Sequence, residues 1–184
     1  NHTVKRLATC NRRRNQRRTG SFGRFASRKE FSMPDTTSVS QPVWRMFFAV
    51  AVPPIQRLVT VHQTLDRWSD VLRRVPPTQW HLTIRFLGDV DSALLEGIRR
   101  AGREAAAGGN ALEFAFRGIG TVRQRGRLSV LWAGVADSGS LPTLAEHLNA
   151  GLVACGLPAE TRPLNPHLTL ARFRGPASRQ LLRW

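Results

Sequence analysis

Residues 46–52 (MFFAVAV) form an unbroken apolar run closed by Pro53 and Pro54, the pattern of a strand buried on both faces. Pro54 suits the first turn of a helix, and Ile55, Leu58, Val59, His62, Leu65, Trp68 and Leu72 then recur at helical spacing until Pro76 and Pro77. His62 lies on that apolar stripe and reads as a packing residue. HLTIRFL (81–87) alternates polar and apolar positions as a strand does. A helix follows over 92–107, carrying Leu94, Leu95, Ile98 and Ala101 and stopped by Gly108 and Gly109. Leu112, Phe114 and Phe116 alternate again, and the RQRGR turn (123–127) joins that strand to a second one, LSVLWAGV (128–135), as a hairpin. Ser140 is placed to cap a helix with Leu141, Leu144, Leu148 and Leu152 on one side and Gly156 as its stop. HLTLARF (167–173) is the last strand. The order β-α-β-α-β-β-α-β predicts an α+β fold with mostly antiparallel sheets flanked by helices.

Before this periodic region the pattern vanishes. Residues 1–43 show Arg clusters among Ser, Thr and Asn with no sustained period, and are read as a disordered basic tail. The sequence does not open on Met, and Met33 or Met46 would serve as a start, so this tail need not be native. Residues 44–184 form the single expected domain. The formal net charge of +16 is uneven, because residues 1–45 hold 11 of the 28 Lys/Arg and 2 of the 12 Asp/Glu. The remainder is still basic enough to attract a polyanion such as RNA. No apolar run reaches the roughly 18 residues of a membrane span. The cysteines, Cys10 and Cys155, have no nearby Cys partner, which excludes a disulfide framework or zinc spacing and favours a cytoplasmic setting.

The chemistry lies in the recurrence of His-Leu-Thr-aliphatic at 81–84 and 167–170. Side chains two apart on a strand share a face. On ideal strands, His81, Thr83 and Arg85 therefore point one way and Leu82, Ile84 and Phe86 the other, while His167 and Thr169 oppose Leu168 and Leu170. Two imidazoles across a scissile bond supply a general acid and a general base near neutral pH. Each threonine hydroxyl is placed to donate to a phosphate oxygen, and a nearby arginine to stabilise charge growing on phosphorus. Arg85, on the histidine face, is the favoured candidate for a phosphate contact. No His/Asp/Glu cluster has metal-ligand spacing, so no metal or other cofactor is expected.

RMFFAVAVP (45–53), HLTIRFLGDV (81–90), VLWAGV (130–135) and NPHLTLARF (165–173) together resemble the two-histidine phosphoesterase superfamily, and within it the bacterial RNA 2′,3′-cyclic phosphodiesterases, also called 2′-5′ RNA ligases. The resemblance implies a pseudo-symmetric bilobal fold in which each lobe brings one His-x-Thr to a central groove. It implies His81 as proton donor to the leaving oxygen, His167 as the base that activates water, Thr83 and Thr169 as phosphate contacts, and a 2′-phosphate product. It also places Arg172 at the arginine of the second motif, although on an ideal strand Arg172 falls opposite His167, leaving substrate contact and an inter-lobe salt bridge both open. Arg127, in the RQRGR turn, either lines the groove mouth or sits on a solvated loop. The expected partner is RNA ending in a 2′,3′-cyclic phosphate, bound by a monomer. The alternatives are 2′-5′ ligation or another cyclic phosphodiesterase activity at the same site, or an RNA-binding module without turnover. Relatives of this kind continue for several tens of residues past the second motif; a chain ending at Trp184 is expected to lack part of its second lobe and to be poorly stable.

Overall fold

The computed structural model describes residues 2–4, 7–13, 43–108, 111–176 and 181. Strands β1 (His2–Val4) and β2 (Leu7–Arg13) precede β3 (Val43–Ala51), followed by α1 (Gln56–Thr64), β4 (Leu72–Arg74), β5 (His81–Asp91), α2 (Leu95–Ala107), β6 (Leu112–Gln124), β7 (Arg127–Asp137), α3 (Ser140–Ala154) and β8 (His167–Phe173). All pair antiparallel into one eight-stranded sheet of order β1-β6-β7-β8-β5-β3-β2, with β4 added beside β8. Fold class matches the sequence pattern, and so does the element order except that the stripe read as one helix to Leu72 ends as α1 at Thr64, with Leu72 in the added strand β4, which pairs with β8. The expectation for residues 1–43 needs correction where they are described, since β2 zips onto β3 from Leu7↔Val50 to Arg13↔Trp44, and β1 onto β6. Main-chain pairing to an open sheet edge reads backbone rather than composition, so a polar, Arg-rich segment is able to form it. The rest of that segment, like residues 177–180 and 182–184, lies outside the described residues.

The molecule is built from one β-α-β unit used twice. In the first, β3 and β5 are neighbours joined through α1; in the second, β7 and β8 are neighbours joined through α3. The two units meet where β5 pairs with β8 at Leu82↔Leu168, the central positions of the two histidine motifs. Both leucines are fully buried and share one hydrophobic core with Phe48, Ile98, Leu141, Leu148, Leu152 and Leu170. Gly102 of α2 lies against the Phe48 ring, where a Cβ has no room. That glycine lets the helix lie directly on the sheet.

Local signals explain most boundaries. The Asp91 carboxylate accepts the Ala93 N–H at 2.8 Å ahead of α2. At α3 the capping group is Asp137 rather than Ser140. Its carboxylate accepts the Gly139 and Leu141 N–H groups and the Ser140 hydroxyl, while Gly139 turns the chain at φ 104°. Gly156, at φ 89°, stops α3 as its position predicts.

His62 is buried, edge-on to Trp80 with ring centroids 5.4 Å apart. Burial pushes its pKa below 6.5, Arg74 adding to the effect. The folded protein thus takes up this proton less readily than the unfolded chain. Stability from His62 is complete above the ordinary imidazole pKa and declines as pH falls below it. Urea unfolding midpoints are expected to drop between pH 7 and pH 5, and His62→Phe to remove part of that slope; an unaltered slope in the variant would refute this assignment.

Candidate active site

The two histidine strands have one shape. From His81 to Leu87 and from His167 to Phe173 the side chains run half-buried, buried, half-buried, buried, buried, exposed, half-buried. The break in alternation is a β-bulge in each copy. Between β3 and β5 the register passes from Phe48↔Arg85 to Ala49↔Thr83, leaving Ile84 without an opposite residue. Between β7 and β8 it passes from Leu131↔Ala171 to Trp132↔Thr169, leaving Leu170 likewise.

The bulges reverse the face expected of each arginine on an ideal strand. Arg85 leaves the histidine face and is buried at 7% exposure, where its guanidinium donates to Asn149 Oδ1 in α3 and to the Pro158 carbonyl. Burial lowers its pKa, with Glu160 acting in the opposite sense. Arg172, conversely, returns to the histidine face and is exposed. At the position matching Arg172 the first copy carries Phe86, 65% exposed; at the position matching Arg85 the second carries Ala171, fully buried.

On the other side of the Leu82–Leu168 pair lie His81, Thr83, His167 and Thr169. Antiparallel pairing centred on those leucines sets Thr169 across from His81 and His167 across from Thr83. The two histidines are then diagonal partners, about 7–8 Å apart at the level of such positions. Each ring is held by the same hook. His81 Nδ1 lies 2.7 Å from the Gln79 carbonyl and His167 Nδ1 lies 3.0 Å from the Asn165 carbonyl, in both cases two residues back along the chain. A carbonyl only accepts, so Nδ1 carries the hydrogen and Nε2 is the atom left for chemistry.

Aromatic neighbours, which single-strand reasoning missed, flank both rings. Phe47 is 5.2 Å from His81 and 5.8 Å from Phe86, making an apolar shelf beside the first motif. Trp132 is 6.0 Å from His167. Its indole lies over Gly120, its register partner on β6, where a Cβ would collide with the ring. The loop leading to His167 is tied by Asn149, whose Oδ1 also accepts the Glu160 N–H at 3.0 Å. Arg162 hydrogen-bonds the Glu160 carboxylate and holds its pKa down to about 2. Among the described residues no group of three His, Cys, Asp or Glu is placed to hold a metal ion, and no helix is long and apolar enough to cross a membrane.

Fold and site together define a two-histidine phosphoesterase. Residues 50–132 match the LigT-like phosphoesterase family model. A Thermus thermophilus protein named RNA 2′,3′-cyclic phosphodiesterase is 34% identical over 142 residues, covering 73% of this chain and 71% of its own. One of the same name from Methanothermobacter thermautotrophicus is 30% identical over 122 residues, covering 66% of each chain. A crystal structure of a Thermus thermophilus protein superposes with a TM-score of 0.55 at 32% identity, over 73% of this chain and 77% of that one. The chain belongs to the LigT-like phosphoesterase family.

Arg85 fastens the strand of the first motif to the helix and loop that lead to the second. Arg85→Met leaves Asn149 Oδ1 and the Pro158 carbonyl without this cationic donor, and is expected to cost about 2 kcal/mol of unfolding free energy in urea titration. Arg85→Lys should recover only part, since an ammonium does not span two acceptors as a guanidinium does. A Met variant as stable as the parent would refute the tether.

Proposed function

We propose that this chain hydrolyses RNA 2′,3′-cyclic phosphate ends to 2′-phosphates. The observation that carries the reading is the pair of identically hooked histidines, each with a threonine two residues on, gathered on one face by the Leu82–Leu168 pairing. The names of the relatives support the same substrate.

In this reading the cyclic phosphate sits between the imidazoles. Neutral His167 takes a proton from water at Nε2 as the water oxygen attacks phosphorus, and protonated His81 gives its Nε2 proton to the departing 3′ oxygen. The P–O3′ bond breaks, leaving a 2′-phosphate and a free 3′-hydroxyl. The acid and base roles follow the family resemblance, because the hooks of the two rings are alike. The Thr83 and Thr169 hydroxyls donate to the non-bridging oxygens, and Arg172, on the histidine face, stabilises the charge that grows there. Phe47 and Phe86 offer a surface on which the terminal base stacks. Neither proton transfer calls for a metal ion.

An oligoribonucleotide ending in a 2′,3′-cyclic phosphate, incubated with EDTA, is expected to be converted to the 2′-phosphate. His81→Ala and His167→Ala are each expected to lower kcat at least ~100-fold, with the fold kept by circular dichroism. Loss of activity in EDTA would overturn the metal-free mechanism. Binding without turnover would favour an RNA-binding module, and joining of ends would favour 2′-5′ ligation.

A further inference from the structure

Beyond the reaction centre, β8 runs into a cluster of arginines at one end of the sheet. Arg172 follows His167 and Thr169 on the histidine face. Arg174 comes two residues later, its N–H donating to the Val71 carbonyl at 2.9 Å, which fixes the backbone there. The β6–β7 hairpin runs alongside. Val130 of β7 pairs in register with Arg172, and Leu128, nearer the hairpin tip, pairs with Arg123 of β6. The tip therefore stands beside the end of β8.

The two together enclose a cleft of about 550 Å³, lined by Arg123, Arg127, Phe173 and Arg174. Arg123, Arg127, Arg172 and Arg174 are exposed, and none of them has a carboxylate partner among the described residues. The hairpin tip adds a second observation. The two-residue turn Arg125-Gly126 has φ 51° and 77°, conformations that Asn-Gly adopts at little cost, yet an arginine occupies the first position. The fold thus tolerates a strained residue where it sets one more cation beside the cleft.

We propose that this cluster is a subsite for the sugar–phosphate backbone of the same RNA strand whose cyclic end lies between His81 and His167. The inference rests on the reaction assigned above and narrows its substrate to an oligonucleotide. The strand from His167 to Arg174 spans about 23 Å at roughly 3.3 Å per residue, and a stacked nucleic-acid strand rises about 3.4 Å per nucleotide. A mononucleotide held at the histidines cannot reach the cleft; a strand of about seven nucleotides can. Arg172 lies on the way, between the reaction centre and the cleft. Exposed arginines without acidic partners suit a phosphate backbone read by charge rather than sequence.

The test compares a decaribonucleotide ending in 2′,3′-cyclic phosphate with a nucleoside 2′,3′-cyclic monophosphate, for the full chain and for the Arg123→Gln/Arg174→Gln double variant. The ratio of kcat/KM for decamer over monomer is expected to fall about fivefold to tenfold in the variant. The slope of log kcat/KM against log salt for the decamer should flatten by about 1.4, at roughly 0.7 for each of the two lost phosphate contacts. A ratio held within about twofold, with an unaltered slope, overturns the proposal. If neither substrate is turned over by the parent, the catalytic reading has failed; the subsite is then judged by anisotropy with a labelled 2′-phosphate decamer, whose salt slope must still flatten in the variant. Binding to phosphatidylserine vesicles that the variant loses, with decamer binding unaffected, would assign the cluster to a membrane surface and overturn the RNA proposal.

Discussion

One cross-strand contact governs this protein: the antiparallel pairing of β5 and β8 at Leu82 and Leu168. Neither strand alone places two imidazoles near a common point, and the parent β-α-β units each supply only one. Pairing the middle residues of two like motifs imposes an approximate twofold relation across the sheet. That relation turns one histidine and one threonine per strand into a quartet. The apolar side of the contact, two fully buried leucines, holds the register. A slip of one residue would turn the polar side into the core, so a hydrophobic constraint fixes how the two histidines and two threonines face one another.

The twin bulges extend this logic. Each adds a residue on the buried side just past its threonine, and so reverses which side chains face the groove from that point on. In β8 the reversal turns Arg172 to the histidine face, where it is exposed. In β5 it delivers Phe86 there and sends Arg85 inward, where the guanidinium crosses to α3 and the Pro158 loop. The two copies therefore differ where their surroundings differ. One uses its inward position for a tether between the halves, while the other fills it with alanine.

Much of the fold was legible in the sequence, because its elements obey simple periods. The apolar run of β3, the helical stripe of α3, and the alternation of HLTIRFL and HLTLARF appear where the pattern puts them, whereas the stripe read as one helix to Leu72 ends as α1 at Thr64, and Leu72 lies in β4. His81, Thr83, His167 and Thr169 were legible for the same reason, since they precede the bulges and keep ideal alternation. Arg85 and Arg172 were misplaced because period 2 was carried through residues that break it. A signal was present: strict alternation would bury Arg172 in the second copy while exposing Ala171, a poor exchange that the first copy does not require. β2 was illegible because edge pairing is made by main chain, and Phe47 and Trp132 because neighbours across a sheet depend on register.

The way the two imidazoles are aimed has an evolutionary consequence. In many sites a histidine is oriented by a carboxylate side chain, so a single substitution elsewhere releases it. Here the orienting acceptors are the carbonyls of residues 79 and 165, and every amino acid has a carbonyl. The side chains at those two positions are free to drift without disturbing the aim of either ring. Ring geometry is inherited with the course of the chain itself, which leaves the surroundings open to change while the aim of the two rings endures.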